Sequence, residues 1–391
     1  MRQNLSTQNM ATGAAPICVS LDQSSGSSPT ATNALLTAML HAHDLVSDLI
    51  FSPGRAPQVE IHGELISIQA PGLRPLTADD TRRIASDLIG NNKQAIATLR
   101  EQGSCDVSYG LPGLARFRVN VFIQRGSCAV VMRVIPTAIP DVVSLSLPAQ
   151  LEEVASFRDG IVLVTGPRNS GKSSTLAALL DRINRERVCH IITIEDPIEF
   201  LHNHKRATVH QRELHSDTPS IPLGLRAALR QAPDVILVSE LRDRETLEMA
   251  VEAAETGHLV FSSLHAADAA QTVERMVALC AAQGQASIRN RLAKTIRWIV
   301  SQRLLARKDG SGRIPAVEIL KFNSQIRQCL EQNDFSSQRL LEIMKATRAE
   351  GMQHLDGEIA KLARTGVVEL DAALMHATDP EQVRQALTPA R

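Results

Sequence analysis

The chain has 391 residues, 43% of them apolar, too many for one ordinary domain and enough to fill sizeable cores. Lys plus Arg equals Asp plus Glu at 42 each, a balance that gives no support for general binding to nucleic acid or to an anionic membrane. Six scattered cysteines (18, 105, 128, 189, 280 and 329) form no C-x-x-C pair, which argues against a zinc ribbon and a disulfide framework. No apolar run reaches the roughly 18–20 residues of a membrane span, and the polar N-terminus lacks a hydrophobic signal core. A soluble, cytoplasmic protein with reduced thiols is expected.

Residues 1–33, rich in Ser, Thr, Gln, Ala and Gly without periodicity, bury too little apolar surface to offset their ordering entropy and predict a disordered tail. From Ala34 a helical pattern runs to 46, a strand follows at 48–51, and 59–68 alternates around His62-Gly63 as a hairpin does. Thr77-Ala78-Asp79-Asp80 opens a further helix, to about Ile89, with a capping-box-like start. Strands at 106–111, 115–123 and 128–135 complete a small α+β domain over 34–136. Pro140 and Pro148 then mark 137–150 as a linker.

After a helical turn at 151–155, the apolar run 161–165 leads into Gly166-Pro167-Arg168-Asn169-Ser170-Gly171-Lys172-Ser173, followed by a helical pattern from Ser174. The loop fits G-x-x-x-x-G-K-[ST], the P-loop signature, in the strand–loop–helix context that the motif requires. Apolar strands at 188–193, 235–238 and 258–263 end near Glu195-Asp196, Glu240 and His265, with helices at 223–231 and 244–255 between them. This alternation predicts βαβ units and a parallel sheet over 151–322, with active residues at the carboxyl ends of its strands. His202, His204, His210 and His215 match no standard zinc spacing and predict a solvated loop. A helix is expected at 288–301, a hairpin around Asp309-Gly310-Ser311-Gly312, and a helical region over 323–391.

In a P-loop, backbone N–H groups and a helix N-terminus surround a phosphate chain. Gly166 through Ser174 would form that cradle for ATP, Lys172 would neutralise the β/γ-phosphates, and the Ser173 hydroxyl would complete an Mg²⁺ shell. Glu240 is placed to hold Mg²⁺, directly or through water, and Glu195 or Asp196 to orient the attacking water as general base. The plainer alternative for each acid is an ordinary strand-end or turn carboxylate, and the functional reading is preferred. His265 serves as a γ-phosphate contact or a structural histidine, and the residues alone leave both open.

Taken together, Gly166 to Ser173, Ile192-Thr193-Ile194-Glu195-Asp196-Pro197-Ile198-Glu199-Phe200, Val238-Ser239-Glu240-Leu241-Arg242-Asp243 and Ala254 to His265 resemble the Walker A, Asp-box, Walker B and His-box motifs of the secretion ATPase superfamily. The chain is most similar there to the PilT/PilU-like type IV pilus retraction ATPases, over about residues 34–365. The resemblance implies a PAS-like N-terminal domain joined to a RecA-like α/β ATPase domain, assembled as a homo-hexameric ring that drives an inner-membrane pilus platform protein. It implies Glu195 as catalytic base, Glu240 as the metal-associated acid and His265 as a phosphate contact. Arg116, Arg118 and Arg133 match N-terminal arginines expected near the phosphates, without deciding which of them reaches the nucleotide.

Arg168-Asn169 stands where the family usually has Thr-Gly, Ser174 where it has Thr, Ser239 where it has Gly, Ala266 where it has Thr, and Glu60 where an arginine is common. None of these removes a catalytic group, and together they point to a diverged paralogue. The chief alternatives are an accessory nucleotide-binding subunit alongside a paralogous motor, or a secretion or pilus-assembly ATPase. The second is disfavoured by the lack of a four-cysteine zinc element.

Overall fold

The computed structural model describes residues 17–18, 31–70, 73–135, 138–347 and 350–388. The chain divides into two compact units, 1–137 and 138–391.

The first unit is a seven-stranded sheet ordered β1-β4-β3-β2-β7-β6-β5. Its strands are β1 (Ile17–Cys18), β2 (Val46–Phe51), β3 (Gln58–Ile61), β4 (Glu64–Gln69), β5 (Ser104–Leu111), β6 (Ala115–Gln124) and β7 (Ser127–Ile135). Its helices are α1 (Ala31–Leu40), α2 (Ala78–Ile89) and α3 (Lys93–Gln102). Positive φ at both His62 and Gly63 closes the β3–β4 hairpin, the backbone a two-residue turn of matching twist requires. Thr77 and Asp80 cap α2 reciprocally. Most of the expected tail lies outside the described residues. Within it, Ile17–Cys18 pairs with Ile68 and Gln69, and α1 already begins at Ala31.

The second unit centres on a sheet ordered β10-β9-β11-β12-β8-β13-β14, parallel except for the β13/β14 hairpin. The strands are β8 (Gly160–Thr165), β9 (His190–Glu195), β10 (Thr208–Glu213), β11 (Val235–Val238), β12 (Leu259–Leu264), β13 (Ile296–Ala306) and β14 (Arg313–Lys321). Helices α4 (Lys172–Glu186), α5 (Ile221–Ala228), α6 (Arg244–Glu255), α7 (Ala269–Ala278) and α8 (Gln285–Thr295) connect them. Alternate residues of β8 enter different cores, Ile161 and Leu163 one, Val162 and Val164 the other. A strand buried on both faces reads as a continuous apolar run, which is why it was visible in the sequence. Beyond the sheet lie α9 (Ser324–Glu331), α10 (Ser337–Ala346), α11 (Leu355–Arg364), α12 (Leu370–His376) and α13 (Pro380–Leu387). Residues of α9 and α10 join the core containing Ile161, whereas α11 to α13 pack with Leu305 and Ala316 of the hairpin. Among the described residues, no helix is long and apolar enough to cross a membrane.

Three expectations need correction. The helix expected at 288–301 ends at Thr295, and β13 follows at once. Trp298 and Ile299 are buried in opposite cores, so only the strand period of two satisfies both. The stretch expected as a linker is packed instead: Val142 and Leu147 are buried with Leu151 and Val154.

The third correction concerns the histidine segment, which is not simply a solvated loop. His210 lies on the edge strand β10 beside His190, its Nδ1 2.8 Å from His190 Nε2. The His202 side chain is buried, its Nδ1 4.0 Å from Asp181. Burial would raise the Asp181 carboxyl, but hydrogen bonds from Lys205 and Arg185 outweigh it and hold the group below its ordinary range. Burial pushes the His202 pKa down to about 4. The unfolded chain therefore takes up a proton on this histidine at a pH where the folded chain does not, so stability falls as pH drops from about 6.5 to 4. Urea unfolding across this window should show the wild type losing about 3 kcal/mol relative to His202→Gln. Parallel curves for the two proteins would contradict it.

One carboxyl group joins several of these elements. Glu318 of β14, 7% exposed, accepts the backbone N–H of Ala269 at 2.9 Å and the Ser301 hydroxyl at 3.1 Å. Ser301 in turn accepts the hydroxyl of Thr165, the last residue of β8, at 3.1 Å. Burial pushes the Glu318 pKa up to about 7, although the N–H groups of Ala269 and Leu355 favour its charged form.

Candidate active site

The P-loop joins the carboxyl end of β8 to α4. Gly166 has φ +147°, and a Cβ there would lie 2.3 Å from the Gln302 carbonyl oxygen. Asn169, the departure noted in the sequence, adopts left-handed backbone at φ 59°, which asparagine tolerates better than most residues. Arg168 and Asn169 are exposed, whereas Ser170 is buried and its hydroxyl finds no hydrogen-bond partner among the described residues. Gly171 precedes α4 without a side-chain cap, leaving the first N–H groups of the helix available. Ser174 lies in that first turn. Gln302 on β13 braces the loop: its amide donates to the Ser170 carbonyl, and its Oε1 accepts from Thr175 at 2.9 Å.

Lys172 is buried and contacts the carbonyls of Gly166 (2.9 Å) and Pro167 (2.7 Å) and His265 Nδ1 (3.2 Å). Three contacts match the three protons of an ammonium group, which makes Nδ1 of His265 the acceptor. Burial depresses the Lys172 pKa, and the charges of Glu240 and Glu199 oppose that shift. His265 Nε2 lies 3.8 Å from Glu240. The β8–β12 and β11–β12 pairings bring the P-loop, Glu240 and His265 to one end of the sheet.

Glu195 ends β9 and is almost wholly buried. Burial lifts its pKa to about 7, against the pull of hydrogen bonds from Thr193 (2.6 Å) and Gln211 (2.9 Å). The negative charge of Glu199 adds to the rise. Glu199 also accepts the Ser173 hydroxyl at 2.9 Å. On the other flank, Arg242 contacts Glu240 at 2.7 Å and Asp196 at 3.2 Å.

These residues fit the groups expected from the sequence. The partnerless Ser170 hydroxyl, the uncapped α4 and the glycine-walled loop suit a phosphate chain. The oxygens of Ser173, Glu199 and Glu240 suit Mg²⁺, a hard cation that takes few protein ligands and completes its shell with phosphate and water. Among the described residues, no cluster of three or more His, Cys, Asp or Glu side chains could hold a metal.

Arg116, Arg118 and Arg133 belong to the first unit, on the face of its sheet opposite Phe117, Val119 and Met132. Arg118 pairs with Arg133 across β6 and β7 and is exposed, while Arg133 bonds Asp48 at 3.0 Å. Sequence reasoning assigned no role to Glu199, Arg242, Thr193, Gln211 or Gln302. Glu199 and Arg242 stood inside the recognised motifs but carry no spacing signal of their own, and Gln302 was hidden because β13 was expected to begin as a helix.

Residues 101–369 match the type II/IV secretion system protein family. The chain is 39% identical over 335 residues to a type IV pilus retraction ATPase, PilT, of Pseudomonas aeruginosa, covering 86% of this chain and 95% of that one. It is 38% identical over 327 residues to a twitching motility protein of Neisseria gonorrhoeae, covering 84% and 86%. A crystal structure of the pilus retraction motor PilT with bound ADP superimposes with TM-score 0.80 at 37% identity, covering 90% of this chain and 98% of that one. The fold class is thus the one expected, a RecA-like α/β ATPase unit with a separate N-terminal α+β unit, and the chain belongs to the type II/IV secretion system protein family.

Proposed function

We propose that this chain is an Mg²⁺-dependent ATPase motor of type IV pilus retraction. It works as a cytoplasmic homo-hexamer on a membrane platform protein, alone or beside a paralogous motor. The observation that carries the enzymatic reading is the convergence of Lys172, Ser173, Glu240, His265 and the dry Glu195 carboxyl at the carboxyl ends of neighbouring strands. The names of its relatives support the mechanical task.

When bound, ATP with Mg²⁺ supplies a transferable phosphoryl group whose charge must be met along the reaction path. Lys172 and the α4 N-terminus would meet that charge, and Ser173 with Glu240 would hold the metal. Glu195 takes the proton of the attacking water, for which a pKa near 7 suits it. His265, already bonded to Lys172 and close to Glu240, reports the state of the phosphate end.

Steady-state phosphate release from the purified full chain tests the proposal. Release should require ATP and fall to background when EDTA removes the metal. A wild type that releases no more phosphate than Lys172→Ala, alone or mixed with a paralogous motor, would overturn the enzyme reading.

A further inference from the structure

We propose that Arg242 is a resident counter-cation of the metal-binding acid, which an incoming Mg²⁺ must displace from Glu240. This inference deepens the ATPase reading above and rests on it. Arg242 Nε contacts Glu240 Oε2 at 2.7 Å, and Nη1 contacts Asp196 at 3.2 Å. The guanidinium thus bridges the carboxylates that follow two neighbouring strands. The Glu240 oxygen it holds is the same one that faces His265 Nε2 at 3.8 Å, toward Lys172 and the P-loop.

A divalent cation and a guanidinium on one carboxylate oxygen repel each other, so the two occupancies are alternatives. The burial pattern fits an exchange: the Glu240 side chain is only 17% exposed, whereas Arg242 is 62% exposed, on the solvent side of the pair. Before nucleotide arrives, Arg242 neutralises the acid beside a buried lysine. Once the metal leaves with product, Arg242 can take the acid back. Glu240 is then never left as an uncompensated charge, and metal affinity is weaker than the bare acid would give.

The test uses the fluorescence of a methylanthraniloyl-ADP probe on the full chain, titrated with Mg²⁺, a readout independent of hydrolysis. Arg242→Gln should lower the half-saturating Mg²⁺ concentration by roughly two- to fivefold, the range open to an exposed ion pair. Arg242→Lys, which keeps the charge but not the fork, should fall between. In a Glu240→Gln background, Arg242→Gln should shift nothing, because the two residues act as one pair. An unchanged or raised midpoint in Arg242→Gln, or an equal shift in the Glu240→Gln background, would overturn the proposal while leaving the ATPase reading intact. A wild type that binds no probe at any Mg²⁺ concentration would overturn both.

Discussion

Glu195→Gln should lower phosphate release by roughly 10²- to 10⁴-fold, the range for losing a general base, while nucleotide binding persists. Only the ionised carboxylate accepts a proton, and burial sets its pKa at about 7. Wild-type hydrolysis should therefore fall about tenfold per pH unit below 7 and level off above it. Thr193→Val removes a hydrogen bond that favours the ionised form, and bonds to charged groups contribute about 1.5–3 kcal/mol. The acid limb should then move up by about one to two pH units.

The same shift fixes the sign of a stability effect. The folded pKa lies above the ordinary 4.5, so the folded chain keeps a proton that the unfolded chain releases. Stability is lost as pH rises from about 4.5 through 7, by up to about 3 kcal/mol at this site. Glutamine escapes that penalty. At pH 8 the inactive variant should unfold at higher urea than the wild type. Wild-type turnover by Glu195→Gln would remove this residue from the chemistry.

Gly166→Ala should weaken nucleotide binding by a different route. The added Cβ would meet the Gln302 carbonyl at 2.3 Å and the Ser170 hydroxyl at 2.5 Å, on backbone with φ +147°. The Gln302 carbonyl is part of a central strand and cannot give way, so the loop must. Strain and overpacking together cost roughly 2–6 kcal/mol. Opening the loop also removes the two carbonyls that hold Lys172. Affinity for the ADP probe should drop at least roughly 30-fold. Asn169→Gly, at a φ that glycine adopts freely, should bind almost as the wild type does. Equal losses in the two variants would show that loop polarity, not backbone room, governs binding.

The ends of β8, β9, β11 and β12 were legible because each of these strands is a largely apolar run followed by polar residues, whereas the parallel edge strand β10 (Thr208–Glu213) is mostly polar and gave no such signal; the P-loop orders the rest. What stayed hidden depends on partners far away in sequence. Nothing in Glu199 predicts that it meets Ser173, nor in Gln302 that it braces Ser170. The α8–β13 boundary lacks a Gly or Pro, and a run such as Ile296-Arg297-Trp298-Ile299-Val300 fits either period until its two burying surfaces are known. Helix α3 has an Asn92 cap and a left-handed Gly103, but only Ala95 of its residues is buried, so its apolar stripe is faint.

The Glu318 carboxyl makes a mechanical prediction of its own. Its donors come from the start of α7, from β13 and from the start of α11, and β13 is bonded onward to the residue before the P-loop. Losing one such donor would leave a buried acceptor without its bond, at a cost of about 1–3 kcal/mol. These bonds link the starts of α7 and α11, through Glu318 and Ser301, to the residue before the phosphate loop. Hydrogen exchange should find the amides of Ala269 and Leu355 opening as one unit in the wild type and separately in Glu318→Gln.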